Sequence, residues 1–551
     1  MNVAFSAERC TVQTYDYFEV EIWVDRPAFG NPFIDAEVFG QFGPDIEPFT
    51  FKHGLPDGLD GTATSSDHPV PVDGFCDSPD GSLFRIRFMP VKEGQYRYTV
   101  VLKHGNSIWS HEGTFQAERS TRKGLLKVDP VHPFHFIWEG TGEHFFYNSL
   151  TAYHLPGIRN IEEIERILVR FADKKVNRLR VSISSSRVTN GTAWFEPVYD
   201  SEAFTFQYAP WQAERPDNPS DPGFDKTRFD ILYWQKLERI LERARELDIV
   251  ISVIMYVDAY RVGADPYSKL LMGGQDEQRY YRYAAARLAA FSNVTWDITN
   301  EYRLIRPREW VERMGHFLRS CDPYHHLTSC HGHETFEFRT SGWADFALYQ
   351  CWDKQGGYDF MLRNRTLQLE TGRPIPQVNE EFGYEDHYPT WGGEIKAPMR
   401  SADALRRVAW HINMAGGYQT AGEYAGNGVG GWVNGRADDT MTLPDHLASV
   451  RTFFESCDWW RTAPDNGPVV SNNGYCLAEP GRLYLVYLPS STDSLSIRLE
   501  EGTYEAVWYN PRTGKFVDAP IKVNADESPV PLCNPDSTDD MALRIVRVDC
   551  T

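Results

Sequence analysis

The chain has 551 residues, more than one hydrophobic core supports, so several domains are expected. Its 77 Asp and Glu outweigh 56 Lys and Arg, for a net charge of -21 and a pI near 5.2. Such a surface repels phosphate backbones and anionic membranes, which argues against a nucleic-acid partner. Apolar runs fall short of the roughly 18 residues a membrane-spanning helix needs, so no membrane partner is expected. The first 15 residues lack the basic and apolar segments of a secretory signal. The nine cysteines are scattered without CxxC spacing, and Cys321, Cys330 and Cys351 fall in or beside predicted regular elements. They read as buried free thiols, which predicts a cytoplasmic protein. Aromatic residues make up 14%, with 16 Trp and 28 Tyr, flat faces with polar edges that suit both sheet cores and sugar rings.

Residues 1–120 carry short alternating segments such as Phe18-Glu19-Val20-Glu21-Ile22-Trp23-Val24 and Leu83-Phe84-Arg85-Ile86-Arg87-Phe88, separated by Gly, Pro and Asp turns. This pattern predicts an immunoglobulin-like β-sandwich. Asn31-Pro32-Phe33, Gly74-Phe75-Cys76-Asp77, Arg87-Phe88-Met89-Pro90 and Gly94-Gln95-Tyr96-Arg97-Tyr98 follow in order. Together they resemble the sandwich domain found ahead of many bacterial glycosidase barrels, with Cys76 where that pattern usually has Tyr.

A linker is expected at 121–142, and from 143 to 462 strands alternate with helices. Strands are predicted at 145–150, 176–183, 249–256, 294–300, 327–331, 345–350, 375–380 and 417–422. Helices are predicted at 161–173, 231–247, 276–291, 307–320, 358–371 and 402–414. In the second, Ile231, Trp234, Leu237, Leu241 and Ala244 form a one-sided apolar stripe. Eight strands with helices between them predict a (β/α)8 TIM barrel rather than a doubly wound sheet, since no Gly-x-Gly-x-x-Gly turn follows the first strand. Two long segments, 184–230 and 425–444, follow strands two and eight, on the face where barrel enzymes carry their sites. Short strands return over 463–551 and predict a C-terminal β-sandwich domain, in which Trp508-Tyr509-Asn510-Pro511-Arg512-Thr513-Gly514 resembles the β-domain accompanying such barrels.

The candidate chemistry lies at two strand tips. Val294-Thr295-Trp296-Asp297-Ile298-Thr299 ends in Asn300-Glu301, and Ile375-Pro376-Gln377-Val378-Asn379 ends in Glu380-Glu381-Phe382-Gly383. Cleaving a glycosidic bond needs one carboxyl to protonate the leaving oxygen and another to face the developing oxocarbenium ion. In retaining enzymes the two stand about 5–5.5 Å apart, a span that facing strand tips of a narrow barrel can meet. Asn300-Glu301 after strand four and Glu381-Phe382-Gly383 after strand seven resemble the signature of the clan A retaining glycoside hydrolases. That resemblance implies Glu301 as acid/base, Glu381 as nucleophile and Asn300 as donor to the sugar 2-hydroxyl. Strand alternation allows one of Glu380 and Glu381 into the barrel, and Phe382-Gly383 selects Glu381.

Asn177-Arg178-Leu179-Arg180 resembles the clan's Asn-x-x-Arg, which makes Arg180 a partner that keeps the nucleophile ionised. Tyr349 on strand six is a candidate hydrogen-bond donor to the nucleophile. His331 and His333, after strand five, read as contacts to sugar hydroxyls rather than as metal ligands, because further ligands are missing. Trp352, Trp391 and Trp432 are candidates for stacking on sugar rings. No cofactor or metal is expected.

His144-Phe145-Phe146-Tyr147, Thr151-Ala152-Tyr153-His154-Leu155, Glu381-Phe382-Gly383-Tyr384-Glu385 and Ala415-Gly416-Gly417-Tyr418 through Gly422 together resemble the apiosidase-like branch of barrel glycosidases. Leu150 departs from that branch, which usually has Asp before Thr-Ala, and the change implies a lost sugar-binding charge. The expected activity is retaining, exo-acting hydrolysis of an oligosaccharide or small glycoside. Two alternatives remain: a non-catalytic carbohydrate-binding protein on a relic barrel, or an inverting glycosidase. The flanking β-domains offer surfaces for homo-oligomer formation.

Overall fold

A computed structural model describes the chain except for residues 45–68, 184–201, 203–204, 206–207, 219–221, 258–265, 268, 353–356, 386–399, 423–440, 472–473 and 549–551. Its centre is an eight-stranded parallel sheet curled into a nearly closed barrel. The strands are β1 (Asn148–Thr151), β2 (Arg178–Ser182), β3 (Val250–Ile254), β4 (Val294–Asp297), β5 (Thr328–Ser329), β6 (Ala347–Gln350), β7 (Gln377–Glu381) and β8 (Tyr418–Ala421). Neighbours run in the order β5-β4-β3-β2-β1-β8-β7-β6. A parallel bridge between His331 and Leu348 closes the ring, helped by amide bonds from Asp345 to Thr328 and from Gln350 to His333. Each strand falls within one of the eight predicted segments, apart from single residues at the ends of β1 and β7.

The helices are α1 (Ile161–Asp173), α2 (Ile231–Glu246), α3 (Gln275–Leu288), α4 (Arg308–Cys321), α5 (Tyr358–Glu370), α6 (Ala402–Met414) and α7 (Leu443–Phe454). Asn160, Asp230 and Ser401 cap α1, α2 and α6 by accepting from first-turn amides. The α2 stripe of Ile231, Trp234, Leu237, Leu241 and Ala244 is buried, as its spacing predicts. α7 begins at the end of a stretch expected to be loop. Its apolar residues Leu443, Leu447, Val450, Phe453 and Phe454 are buried.

An N-terminal pair of sheets precedes the barrel. One orders Asn2–Ser6, Phe18–Asp25, Leu83–Phe88 and Phe75–Cys76; the other orders Thr11–Gln13, Ser107–Glu118, Gly94–His104, Ala36–Gly43 and Val70–Asp73. Phe18, Val20, Ile22 and Val24 point into the space between them, while Glu19, Glu21 and Trp23 point out. The Gly74–Asp77 motif is a joint to the barrel. The Asp77 carboxylate pairs with Arg85 and with Arg287 of α3, and the Cys76 carbonyl accepts from the Tyr283 hydroxyl. Arg87 and Arg287 both grip Glu238 of α2.

Part of the stretch read as a linker is itself structured. Leu126–Val128, Phe136–Trp138 and His144–Phe145 form a small antiparallel sheet. Its Phe136 packs on Tyr147, Phe346 and Tyr418, and so plugs the N-terminal mouth of the barrel.

After the barrel, a six-stranded sheet and a two-stranded sheet pack around a second apolar cluster. They are tied to α6 by Arg406, whose guanidinium pairs with Asp540 while the Tyr487 hydroxyl donates to the same carboxylate. Among the described residues, no helix is long and apolar enough to cross a membrane.

Candidate active site

The barrel interior is polar where most barrels are aliphatic. Ser149 and Thr151 of β1 accept from Arg178 and Arg180 of β2, so these four side chains share the inner face. Leu150 lies between them in sequence and faces outward. It is fully buried among apolar residues, in register with Leu179 and Ala421. Its side chain therefore cannot reach a sugar, and the expectation that a binding charge is lost at this position is corrected by strand direction.

β7 breaks alternation. Tyr349 pairs with Asn379 and Gln350 with Glu381, leaving Glu380 as the extra residue of a bulge. As a result both glutamates face inward, against the expectation that only one does, and they occupy different layers. Glu380 is fully buried and saturated: Arg178 donates at 2.8 Å, Tyr147 at 2.9 Å and Thr420 at 2.6 Å, with Arg180 Nε 3.2 Å away. Burial pushes its carboxyl up in pKa, but Arg178 and Arg180 outweigh burial and hold it below the usual glutamate value.

Glu381 sits one layer higher, its side chain 8% exposed. Arg180 Nη1 donates to Oε1 at 3.1 Å and the Tyr153 hydroxyl at 2.5 Å. Tyr384, three places past the strand, lies close enough that the Glu381 charge, after burial itself, raises its hydroxyl well above the ordinary tyrosine value. The Tyr384 ring rests on Gly422, where a Cβ would fall 1.2 Å from the ring.

Across the barrel mouth, Arg180 Nη2 donates to Asn300 Oδ1 at 2.8 Å, and the Tyr153 oxygen lies 3.1 Å from the same atom. One guanidinium thus aligns both strand tips. With Oδ1 engaged, the Asn300 amide nitrogen faces the open side, 3.4 Å from Glu301 Oε2. Glu301 has a left-handed backbone, φ 41°, rare for a residue with a side chain. The His331 ring holds this turn, Nδ1 accepting from the Glu301 amide at 3.3 Å, and the His331 carbonyl accepts from the next amide, Tyr302. Burial and then the charge of Arg180 push the His331 pKa well down, so the ring is neutral. Because Nδ1 accepts, the proton is assigned to Nε2. His333 is 37% exposed, with Nδ1 3.9 Å from Glu301 Oε1.

Glu301, Glu381, Asn300, Arg180, His331 and His333 therefore converge on one mouth. Trp352 joins them at one remove, its ring 4.7 Å from that of Tyr384. Tyr349 does not converge. Its hydroxyl donates to Gln377 at 2.5 Å and accepts from Arg339, on the outer face against α5. Outward alternation at that position sends it away from Glu381, and Tyr153 occupies the role expected of it. Trp391 and Trp432 lie outside the described residues, as do much of 184–230 and most of 425–444. Sequence reasoning passed over Tyr153, Tyr384, Arg178 and Asp297. A signal existed for Arg178, two residues from Arg180 on one strand face. Among the described residues, no group of three or more His, Cys, Asp or Glu could hold a metal ion.

A model of the apiosidase-like catalytic domain matches residues 134–464, which is more than half of the chain. The chain belongs to the apiosidase-like family. No curated protein matches this apiosidase-like chain in sequence. Among solved structures, a Bacteroides vulgatus ATCC 8482 protein assigned to the glycoside hydrolases is 20% identical, with TM-score 0.76 over 98% of this chain and 100% of its own. A glycoside hydrolase family 5 protein from the same organism is 17% identical, with TM-score 0.59 over 77% of this chain and 93% of its own. At these identities the likeness is one of fold. Apiosidase-like membership and glycoside hydrolase neighbours together support a glycosidase with a carbohydrate substrate.

Proposed function

We propose that the protein is a retaining glycosidase in which Glu381 is the nucleophile and Glu301 the acid/base. The observation that carries this reading is the Arg180 guanidinium, bonded at once to Glu381 and to the Asn300 that precedes Glu301. An Arg in that place faces the Glu381 carboxylate with a compensating charge and fixes the two strand tips relative to each other. In the first step a Glu381 oxygen bonds the anomeric carbon, the bond to the leaving oxygen breaks, and Glu301 passes its proton to that oxygen. In the second, Glu301 takes a proton from water, the water oxygen bonds the anomeric carbon, and Glu381 departs as carboxylate.

Asn300 Nδ2 is oriented to donate to the sugar hydroxyl beside the reacting carbon. Trp352, Tyr384 and His333 line the approach. The lengths of segments 184–230 and 425–444 favour exo-action on a small glycoside. No disulfide joins any of the eight described cysteines, which favours a reducing compartment.

The test is a panel of aryl pyranosides and furanosides, with the first-formed anomer followed by NMR on the best substrate. Retention is expected, and Glu381→Ala and Glu301→Ala should each lose most of the rate. An inverted first product overturns the mechanism. Full rate in both variants overturns the site.

A further inference from the structure

The turn that follows Glu381 is fixed more firmly than the mechanism above requires. β7 ends at Glu381, and three places on Tyr384 forms a parallel bridge with Gly422, one place past β8. Gly383 makes the crossing at φ 151°, a backbone that suits a residue without a side chain. Glu385 closes the turn. Its buried carboxylate accepts from the Thr442 amide at 3.0 Å, the Thr442 hydroxyl at 3.0 Å and the Leu443 amide at 2.8 Å. These groups open α7, where the helix dipole favours an anion. Tyr384 is therefore held from both sides, by the β8 tip and, through its neighbour, by α7.

Gly422 sets where the Tyr384 ring lies. A methyl group on its α-carbon would fall 1.2 Å from ring atom Cδ1 and 1.5 Å from Cε1, so any side chain there would expel the ring. Trp352 meets the same ring at 4.7 Å, tilted by 55°. The hydroxyl so placed faces Glu381. After burial, the Glu381 charge and a hydrogen bond to it keep the proton on the phenol. Arg180 and Tyr153 both act on Oε1 of that carboxylate, from the β2 and β1 side. Tyr384 reaches it from the β8 tip, as a third donor.

Building on the glycosidase reading, we propose that Gly422 and Tyr384 are a positioning pair for Glu381, the bare β8 tip seating a phenol that donates to the carboxylate as it leaves the sugar. The timing follows from charge. In the first step Glu381 bonds the anomeric carbon and its negative charge disappears, so a donor that favours the carboxylate gives that step no help. In the second step the bond from Glu381 to the anomeric carbon breaks, the electron pair stays on the Glu381 oxygen, and the charge returns. A donor already oriented beside the carboxyl group acts there without reorganisation. Tyr384 keeps its proton in both steps.

Steady-state and burst kinetics on the full chain test the pair, using an activated aryl glycoside for which the second step is limiting, with the first-formed anomer followed by NMR. Tyr384→Phe should lower kcat by about 10–100-fold, the scale of one charge-assisted hydrogen bond. Its kcat/KM should stay within about threefold of the parent, so that KM falls with kcat. Peptide mass spectrometry of the quenched variant should show the glycosyl ester accumulating on Glu381. A merely structural role would lower kcat/KM as well. Gly422→Ala should give the same split by displacing the ring, and should cost no further rate in a Tyr384→Ala background.

Equal losses in kcat and kcat/KM, or kinetics in Tyr384→Phe that match the parent, overturn the proposal and leave the glycosidase reading standing. A further loss when Gly422→Ala is added to Tyr384→Ala overturns the pairing. Should Tyr384→Phe fail to fold, fluorotyrosine placed at 384 keeps the ring and strengthens the donor; a raised kcat is expected, and an unchanged one overturns the proposal. A parent that turns over no glycoside, gives an inverted product or forms its ester on another residue overturns the glycosidase reading and the proposal with it.

Discussion

The bulge in β7 places two adjacent glutamates in different surroundings, one structural and one chemical in the proposed mechanism, and the separation can be measured by Glu380→Gln beside Glu381→Gln. Glu380→Gln keeps the shape but removes the charge that compensates Arg178, which is left with the Ser149 hydroxyl, and weakens the hold on Arg180. Breaking a fully buried ion pair from one side costs about 3–5 kcal/mol, because the surviving charge stays buried. At roughly 2 °C per kcal/mol for a unit of this size, the barrel transition should fall by about 6–10 °C. The fraction that remains folded should still turn over substrate, since Glu381 keeps Tyr153 and Arg180.

Glu381→Gln should do the reverse. It removes the proposed nucleophile and should lower turnover by at least about 10³-fold, on the scale of losing a covalent-catalysis group. It should shift the transition by less than about 3 °C, because Glu381 keeps some exposure at the mouth and Arg180 retains Glu380. The assay is a thermal melt followed by circular dichroism, paired with aryl-glycoside hydrolysis normalised to folded protein. If Glu380→Gln melts like the parent yet is inactive, the assignment of roles from the bulge is wrong.

Four further outcomes are expected. Glu301→Ala should slow the first step on glycosides with poor leaving groups by about 10²–10⁴-fold while sparing that step on activated aryl substrates, whose overall rate falls because the second step is slowed and is restored by added azide as a glycosyl azide; equal first-step losses on both substrate types would refute its role as acid. Tyr153→Phe should reduce kcat by about 10–100-fold, the worth of one charge-assisted hydrogen bond of about 1.5–3 kcal/mol, whereas Tyr349→Phe should leave kcat within about twofold, and steady-state kinetics of the pair decides the point. Asp540→Asn should lower stability by about 3 kcal/mol by leaving the buried Arg406, at the joint between α6 and the C-terminal sheet, with the half-exposed Asp403 as its ion partner, measured by urea unfolding. For Asp297, a folded-state carboxyl at about 7 against about 3.9 when unfolded means that the unfolded chain ionises first as pH rises, so stability is fully present below pH 4 and is lost between pH 4 and 7. Asp297→Asn should remove that slope, and denaturant midpoints across this window check it.

The order of the eight strands could be read from short buried segments bounded by turn residues and alternating with helical stripes, although the polar inner face interrupts the apolar run in strands such as β2 and β7. Asn300-Glu301 and Glu381 were legible for the same reason: a carboxylate directly after such a segment has only the barrel mouth to occupy. What local pattern could not supply was direction at single residues. The bulge at Glu380 is a mismatch in length between β6 and β7, and neither strand shows it alone. Leu150 and Tyr349 sit at positions where a shift of one residue decides between the sugar and the helices, and both face the helices. Tyr153 lies two residues beyond β1, in an irregular segment whose path is set by His154 and Tyr208, with the Tyr208 hydroxyl donating to the Tyr153 carbonyl.

The closure between β5 and β6 has a consequence for how the site breathes. Elsewhere in the ring, strand pairs share a run of ladder bonds and are backed by helices, but here a single bridge and a few isolated bonds join them, with turns in place of a helix between. Amide exchange should therefore be fastest at 328–333 and 345–350 among the eight strands, where opening needs the fewest bonds broken. His331 and His333 stand on this seam, and the left-handed turn of Glu301 hangs from the His331 ring. A transient parting of β5 from β6 would release the Glu301 turn while Glu381, held by β2 and β7, stays in place. The Glu301 turn would then relax independently of Glu381, so that one side of the mouth opens while the other stays fixed.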